Sequence, residues 1–292
     1  MIELFTFFKE VIIISEIQTD TYQLSDTQGQ TDDEYIALNQ VGIRDLTLPM
    51  TLKDRESGEQ QVTADLDVGV ELRENQRGAH MSRFIELAEK YRQKTFTIDS
   101  ISVFLEEICD RLEASNAFVN FQFDYFIEKE SPLSGKRGIM DFRCGIGGRI
   151  RDGKTDNWIL ADVPVTTLCP CSKNNSHQGA HNQRALVETR VVIRDMVWLE
   201  EIIEMVEAEG SSQLYSILKR EDEAFVTDEA YETPKFVEDV VRNLHRKMEM
   251  DERMGDFYVE CLSYESIHNH NAYARSSTGS IWEQIELTQP GR

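Results

Sequence analysis

Cysteine is scarce in this chain. Cys109, Cys144, Cys169, Cys171 and Cys261 are its only thiols in 292 residues. So low and odd a number argues against a disulfide framework. Long apolar runs are missing as well: none reaches the ~18 residues that a membrane span requires. The stretch MIELFTFFKEVIIISEIQTD comes nearest, but Glu3, Lys9 and Glu10 interrupt it and no small-residue cleavage site follows. It reads as a leader, not as a signal peptide. The expected compartment is a reducing cytoplasm, where thiols stay free to bind metal. Basic residues are the third shortage: 31 Lys and Arg stand against 53 Asp and Glu, a formal charge of −22. That balance excludes a broad nucleic-acid face, which needs positive charge against phosphate. A small anionic ligand would need a local cluster of Lys and Arg inside this negative field. What remains is a globular balance, 40% hydrophobic and 29% charged, long enough for one large domain or two ordinary ones.

Residues 18–34 are rich in Asp, Gln, Thr and Ser, and a flexible leader is expected over 1–38. Order begins near NQVGIRDLTLPM. In VTADLDVGVEL, Val62, Ala64, Leu66, Val68, Val70 and Leu72 alternate with polar residues, the pattern of a half-buried strand. MSRFIELAEKYRQ and SISVFLEEICDRLEA read as helices, the second with Asp99 as N-cap. AFVNFQFDYFIEK, GIMDFRCGIGGRI and DNWILADVPVTTL read as strands, with RDGKTD turning between the last two. A second round follows. RALVETRVVIRD is strand-like, and VWLEEIIEMVEAEG is a helix with Trp198, Leu199, Ile202, Ile203 and Val206 inward. LKREDEAFVT reads as a charged loop. Thr233-Pro234 opens another helix, with Thr as cap and Pro at the first position. FYVECLSYE and SIWEQIEL are expected as closing strands. Strands, two helices and strands, then a similar set again, predict antiparallel sheet with paired helices on one face. A shared Gly-Ala-His-x-x-Arg in RGAHMSR (77–83) and QGAHNQR (178–184) hints at related halves.

The chemistry concentrates in PVTTLCPCSKNNSHQGAHNQR, residues 164–184. In an extended segment Cys169 and Cys171 would project to one side, too close for an unstrained disulfide. Followed by His177 and His181, they have metal-ligand spacing for Zn²⁺. No second paired-cysteine knuckle completes a four-thiolate structural site. A Cys, a His and a distant carboxylate would leave an open coordination position, as catalytic metals do. Two buried free thiols beside a polar loop are the plainer alternative. Glu238 borders the apolar stripe of its helix and either reaches solvent or points into a pocket. Glu265, His268 and His270 follow directly on a strand and suit proton transfer near neutral pH, or a structural role.

Taken together, LCPCSK, GAHNQR, QLYSILKREDE, AYETPKFVED and ESIHNHNAYA, with NQVGIRDL and RGAHMSRF, resemble the type IB GTP cyclohydrolase I family. The resemblance runs from about residue 40 to 275 and implies the following. The fold would be α+β, the tunnelling fold, with two tandem modules at 39–168 and 169–292 assembled as a homo-oligomer, a homotetramer, around a barrel. GTP would be hydrolysed at C8 to 7,8-dihydroneopterin triphosphate and formate, the first step toward folate. One divalent cation per site (Zn, Mn or Fe) would be held by Cys169, His181 and Glu223, with Cys171 as an alternative. Cys169, Glu265 and His268 would be catalytic. Glu238 would anchor guanine, with Lys219, Arg220 and Arg184 binding substrate; Lys173 and Arg83 are further cationic candidates. His80, in the echo of His181, has no nearby Cys and is expected to serve the pocket or the structure. Alternatives are a related nitrile reductase acting on a deazaguanine through a cysteine nucleophile, whose Glu-Ser-Leu-Lys segment is absent, or a non-catalytic zinc-stabilised binding protein.

Overall fold

The structure is a computed structural model and describes residues 36–284; the expected leader falls almost wholly outside them. In chain order the elements are β1 (Leu38–Asp54), β2 (Gly58–Leu72), α1 (Met81–Arg92), β3 (Thr95–Phe96), α2 (Ile98–Leu112), β4 (Ala117–Glu130), β5 (Arg137–Arg151), β6 (Lys154–Leu168), α3 (Pro170–Asn175), β7 (Asn182–Ile193), α4 (Leu199–Glu207), α5 (Arg220–Glu232), α6 (Val237–Met250), β8 (Met254–Ser263), β9 (Ala272–Ser277) and α7 (Ile281–Gln284). The strands form one sheet in the order β3-β1-β2-β4-β5-β6-β7-β8-β9. Its ladders are antiparallel except where β3 meets β1 at Thr51 and Leu52.

Hairpin, helices, hairpin is thus built twice, once as β1β2, α1α2, β4β5 and again as β6β7, α4 to α6, β8β9. The two sets join at Asp152 (φ 52°) and Gly153 (φ 74°), a two-residue turn with both residues left-handed, as a tight antiparallel hairpin requires. Residues 168 and 169, the expected division, mark the end of β6 inside this continuous sheet. The sequence echo does not occupy equivalent places: 77–83 leads into α1, whereas 178–184 leads into β7.

Period-two patterning decides which sheet face is buried. Val119, Phe121 and Phe123 of β4 lie on the face covered by α2, whose Ile101, Phe104, Leu105 and Ile108 are fully buried, while Tyr125 of the same face donates to Glu200 of α4 at 2.9 Å. Val240, Val241, Leu244 and Met248 give α6 the same role against β8 and β9. Burying each such side chain contributes about 1.5–3 kcal/mol. The other face of the sheet carries charge, including Asp65, Asp124, Arg143, Glu188, Arg190 and Glu260. An apolar patch there, Trp158 and Val192, is capped by Ile281 and Trp282 of α7.

Several local expectations are corrected. Thr97, not Asp99, caps α2, because its backbone N–H bonds Ser100 Oγ (3.0 Å) in a reciprocal box. Trp198 stands just before α4, not on its inner stripe. Residues 220–232 form a helix, not a loop. Buried Asp222 accepts from the Lys219 and Leu133 N–H groups (2.8 and 2.9 Å) and from the Ser134 N–H and hydroxyl (2.9 and 2.6 Å), which fastens α5 to the β4–β5 turn. Thr233 ends α5 and does not start α6, which begins at Val237 after Phe236. Ile281–Gln284 is helical because Trp282 packs edge-on against Trp158 (6.1 Å), and the closing strand is Ala272–Ser277 instead.

Candidate active site

The segment after β6 is not extended. Pro170 takes the first position of α3, where its missing N–H costs nothing. Cys169 becomes the cap, its sulfur accepting from the Ser172 N–H at 3.4 Å. The two thiols therefore do not share a side: Cys169 is half-buried and Cys171, inside the helical turn, is exposed. Cys169 and His181 are brought together by the backbone, the Cys169 N–H donating to the His181 carbonyl at 3.2 Å. The His181 N–H in turn lies 3.4 Å from Ser172 Oγ.

The His181 ring is held at one nitrogen. Nδ1 lies 2.9 Å from Gln183 Oε1 and 3.3 Å from Ser266 Oγ. That leaves Nε2 as the ring nitrogen a cation could use. Thiol and imidazole are donor types that suit Zn²⁺ and its neighbours, so the chemistry of these two residues is compatible with a divalent cation. Glu223 is not brought to it. That residue is exposed on α5, and among the described residues no three His, Cys, Asp or Glu side chains gather into a metal-holding group. His177 is exposed in the loop after α3.

A second set of contacts draws the helix of Glu238 to the same place. The Lys235 N–H donates to the Leu168 carbonyl (3.1 Å), one residue before Cys169. Buried Glu209 fixes both the start and the body of that helix, accepting from Lys235 Nζ (3.1 Å), Asn243 Nδ2 (2.9 Å) and Lys247 Nζ (2.6 Å). Burial alone would raise the Glu209 carboxyl; these donors hold it below the usual carboxylate range. Lys173 bonds the Tyr231 carbonyl and so ties α3 to α5.

Glu238 opens onto a cavity of about 380 Å³ between α6 and β9. Arg242, His245, Arg246 and Arg275 line it too, a concentration of cations in an acidic chain. Asp239 and Glu249 flank it, Asp239 Oδ1 lying 3.5 Å from Arg242 and Glu249 Oε2 3.9 Å from His245. Under it, burial and the nearby Glu238 and Glu260 push the Cys261 thiol up to about 12, which leaves that sulfur protonated and inert near neutral pH.

The loop after β8 completes the region. Glu265 accepts from Ser263 Oγ (3.2 Å), and Ser266 reaches His181. His268 and His270 are exposed, their rings stacked 5.2 Å apart. A family model described as type I GTP cyclohydrolase FolE2 matches residues 24–274, a span that carries Cys169, His181, Glu238, Glu265 and His268 and ends just before Arg275. The chain belongs to this family.

FolE2 relatives cover most of the chain. The GTP cyclohydrolase FolE2 of Halorhodospira halophila is 42% identical over 251 residues, 86% of this chain and 96% of that protein. Its counterpart in Geotalea uraniireducens is 44% identical over 86% of this chain and 92% of its own. That of Nitratidesulfovibrio vulgaris is 41% identical over 92% of this chain and its own full length. Among solved structures, a uricase from Bacillus fastidious matches 82% of this chain and 93% of its own at 7% identity, with a TM-score of 0.50. That likeness concerns the fold alone, the tunnelling fold.

The remaining candidates of this FolE2-family chain are scattered. Lys219 precedes α5 and Arg220 begins it, both exposed. Arg184 is exposed on the sheet face opposite Gln183. Arg83 donates to the Arg111 carbonyl at 2.7 Å in the first set of helices. His80 caps α1 there, far along the sheet order from His181. Gln183, Glu209, Arg242, His245, Arg246 and Arg275 escaped the sequence reading. Only the spacing Glu238, Arg242, His245, Arg246, at i, i+4, i+7 and i+8 on one helical face, could have signalled part of this group.

Proposed function

We propose that this chain is a type IB GTP cyclohydrolase I. It hydrolyses GTP at C8 of guanine, releases formate and yields 7,8-dihydroneopterin triphosphate, the first step toward tetrahydrofolate, in the cytoplasm. The observation that carries this reading is the bond from the Lys235 N–H to the Leu168 carbonyl, which sets the helix of Glu238 beside the Cys169–His181 pair. A carboxylate on one side and a cation-binding pair on the other suit the two ends of a guanine ring.

Glu238 accepts the two N–H groups of the guanine edge. Adenine would leave that carboxylate without donors, which supplies selectivity. Arg242, Arg246 and Arg275 share its cavity and face the triphosphate, and Lys219, Arg220 and Arg184 are held as outer candidates. Cys169 and His181 would hold the divalent cation (Zn, Mn or Fe), with Cys171 as an alternative thiol; Glu223, the carboxylate that the resemblance implies, does not gather with them within the described residues. When bound, such a cation makes water a competent nucleophile at neutral pH. His268 delivers a proton to the imidazole nitrogen as the ring opens, and Glu265 takes part in proton transfer beside it.

The test is direct. Purified chain supplied with GTP and Mn²⁺ or Zn²⁺ should release formate and give a fluorescent neopterin after oxidation. No product with any divalent cation would sink the reading.

A further inference from the structure

Behind His181 runs a connected line of side chains that ends on Glu265. His181 Nδ1 lies 2.9 Å from Gln183 Oε1, and Gln183 Nε2 donates to Thr167 Oγ1 at 3.4 Å. Thr167 Oγ1 lies 3.5 Å from Ser263 Oγ, and Ser263 Oγ donates to Glu265 Oε1 at 3.2 Å. Ser266 closes the near end, 3.3 Å from His181 Nδ1 and donating to Gln183 Oε1 at 3.4 Å. The middle of the line is interior: Thr167 is 2% exposed and Ser263 1%. The sheet register builds it. Thr167 stands opposite Gln183 across β6 and β7, and Ser263 stands opposite Ala185 across β7 and β8. The step from Thr167 to Ser263 passes over β7 where Ala185 offers only a methyl group.

The direction of every bond follows from one end. A carboxylate only accepts. Ser263 therefore donates to Glu265 and accepts from Thr167, and Thr167 accepts from the Gln183 amide N–H. The amide oxygen then faces His181, and an oxygen at that place calls for a proton on Nδ1. Nε2 keeps its lone pair. In a buried setting no water competes to reverse the order.

We propose that Gln183, Thr167 and Ser263 are positioning residues that carry the acceptor character of Glu265 across three strands and fix His181 in the tautomer with its lone pair on Nε2. The use of that lone pair toward a cation rests on the reading of His181 as a ligand; the tautomer does not. Glu265 thus has a second task beside its place in proton transfer, which is to set the donor atom of the residue just before β7.

The test uses the full chain without added metal, with ¹⁵N-labelled histidine, near pH 8, above the usual histidine range. Long-range proton–nitrogen NMR should show His181 with its proton on Nδ1. Thr167→Val and Ser263→Ala should each populate the other tautomer, and Ser263→Thr should restore the first. Gln183→Met, at a partly exposed strand position, does the same job if the buried variants fail to fold. A folded Ser263→Ala or Gln183→Met chain with His181 unchanged overturns the proposal. Titration with Co²⁺ alone gives the second readout: affinity should fall about 10- to 100-fold in these variants, whereas Gln183→Glu, which keeps an acceptor beside Nδ1, should retain it. If His181→Ala binds Co²⁺ as tightly as the parent chain, the ligand reading is overturned while the tautomer is still judged by NMR.

Discussion

Glu238 and Arg275 share a cavity yet have different work, and single substitutions separate them. On the proposed reading Glu238 meets the neutral edge of the base, so Glu238→Ala should weaken GTP and guanosine alike, by about 10- to 100-fold for the loss of hydrogen bonds to a charged acceptor. Cation binding at Cys169 and His181 should be unchanged. On the same reading Arg275 meets phosphate, so Arg275→Ala should weaken GTP about 10-fold and leave guanosine untouched, with a gap that narrows as salt rises. Calorimetric titration with both ligands at two salt concentrations reads this contrast; equal losses for the two ligands would remove Arg275 from the phosphate site. At this scale Cys169, His181, Glu238 and Glu265 declare themselves as candidates by residue type and local spacing. Gln183, Glu209 and Arg275 do not, because an amide, a helix-end glutamate and a strand arginine acquire meaning only through partners that the sheet register supplies. Glu209 lies 26 residues from Lys235 and 34 from Asn243, and no local pattern announces such a pairing.

At the scale of elements, legibility followed periodicity. The stripe from Val237 to Met248 and the alternation in β4 and β6 are long and regular, and those elements formed, α6 starting three residues later than its Thr-Pro signal implied. The helix at 220–232 has no such stripe; its buried residues are only Asp222 and Ala230. It is a helix because a tertiary contact makes it one. Burial would raise the Asp222 carboxyl, but the hydrogen bonds from Ser134, Lys219 and Leu133 hold it well below the usual carboxylate range. The folded pKa therefore lies below the unfolded value of about 3.9. The stabilisation is fully present above that value and is lost as pH falls through the folded one. Asp222→Asn should lower the melting temperature by several degrees near neutrality, and the gap to the parent chain should close as pH drops from about 4 toward 2. Melts followed by circular dichroism across that window check it; a gap constant with pH would mean that the carboxylate charge is not what fastens α5. The closing strand failed for the opposite reason. SIWEQIEL alternates well enough for a strand, yet its Ile281 and Trp282 are claimed by Trp158 on the far sheet face, and the edge went to the small, polar AYARSS.

At the scale of the whole molecule, the sheet formed by the described residues is open at both ends. Among the described residues β9 pairs only with β8, and the opposite edge, β1, is covered by β3 at just two residues. Exposed strand edges invite pairing with another chain unless something blocks them. Here nothing charged or bulged protects Ala272 to Ala274, and Tyr273 stands 62% exposed between them. The cavity of Glu238 is lined by this same strand through Ala274, Arg275 and Ser276, so a second copy added at β9 would wall the proposed substrate site. The expected assembly is a homotetramer, about four times the chain mass of 33.7 kDa, and turnover should depend on it. Tyr273→Arg places a charge at the edge without touching the cavity lining. It should shift sedimentation toward smaller species and lower turnover per chain, and dilution of the parent protein should lower specific activity in step with its loss of mass. A monomer with full turnover would show that one chain holds a complete site. A Tyr273→Arg protein that keeps the parent mass would place the contact elsewhere than on β9.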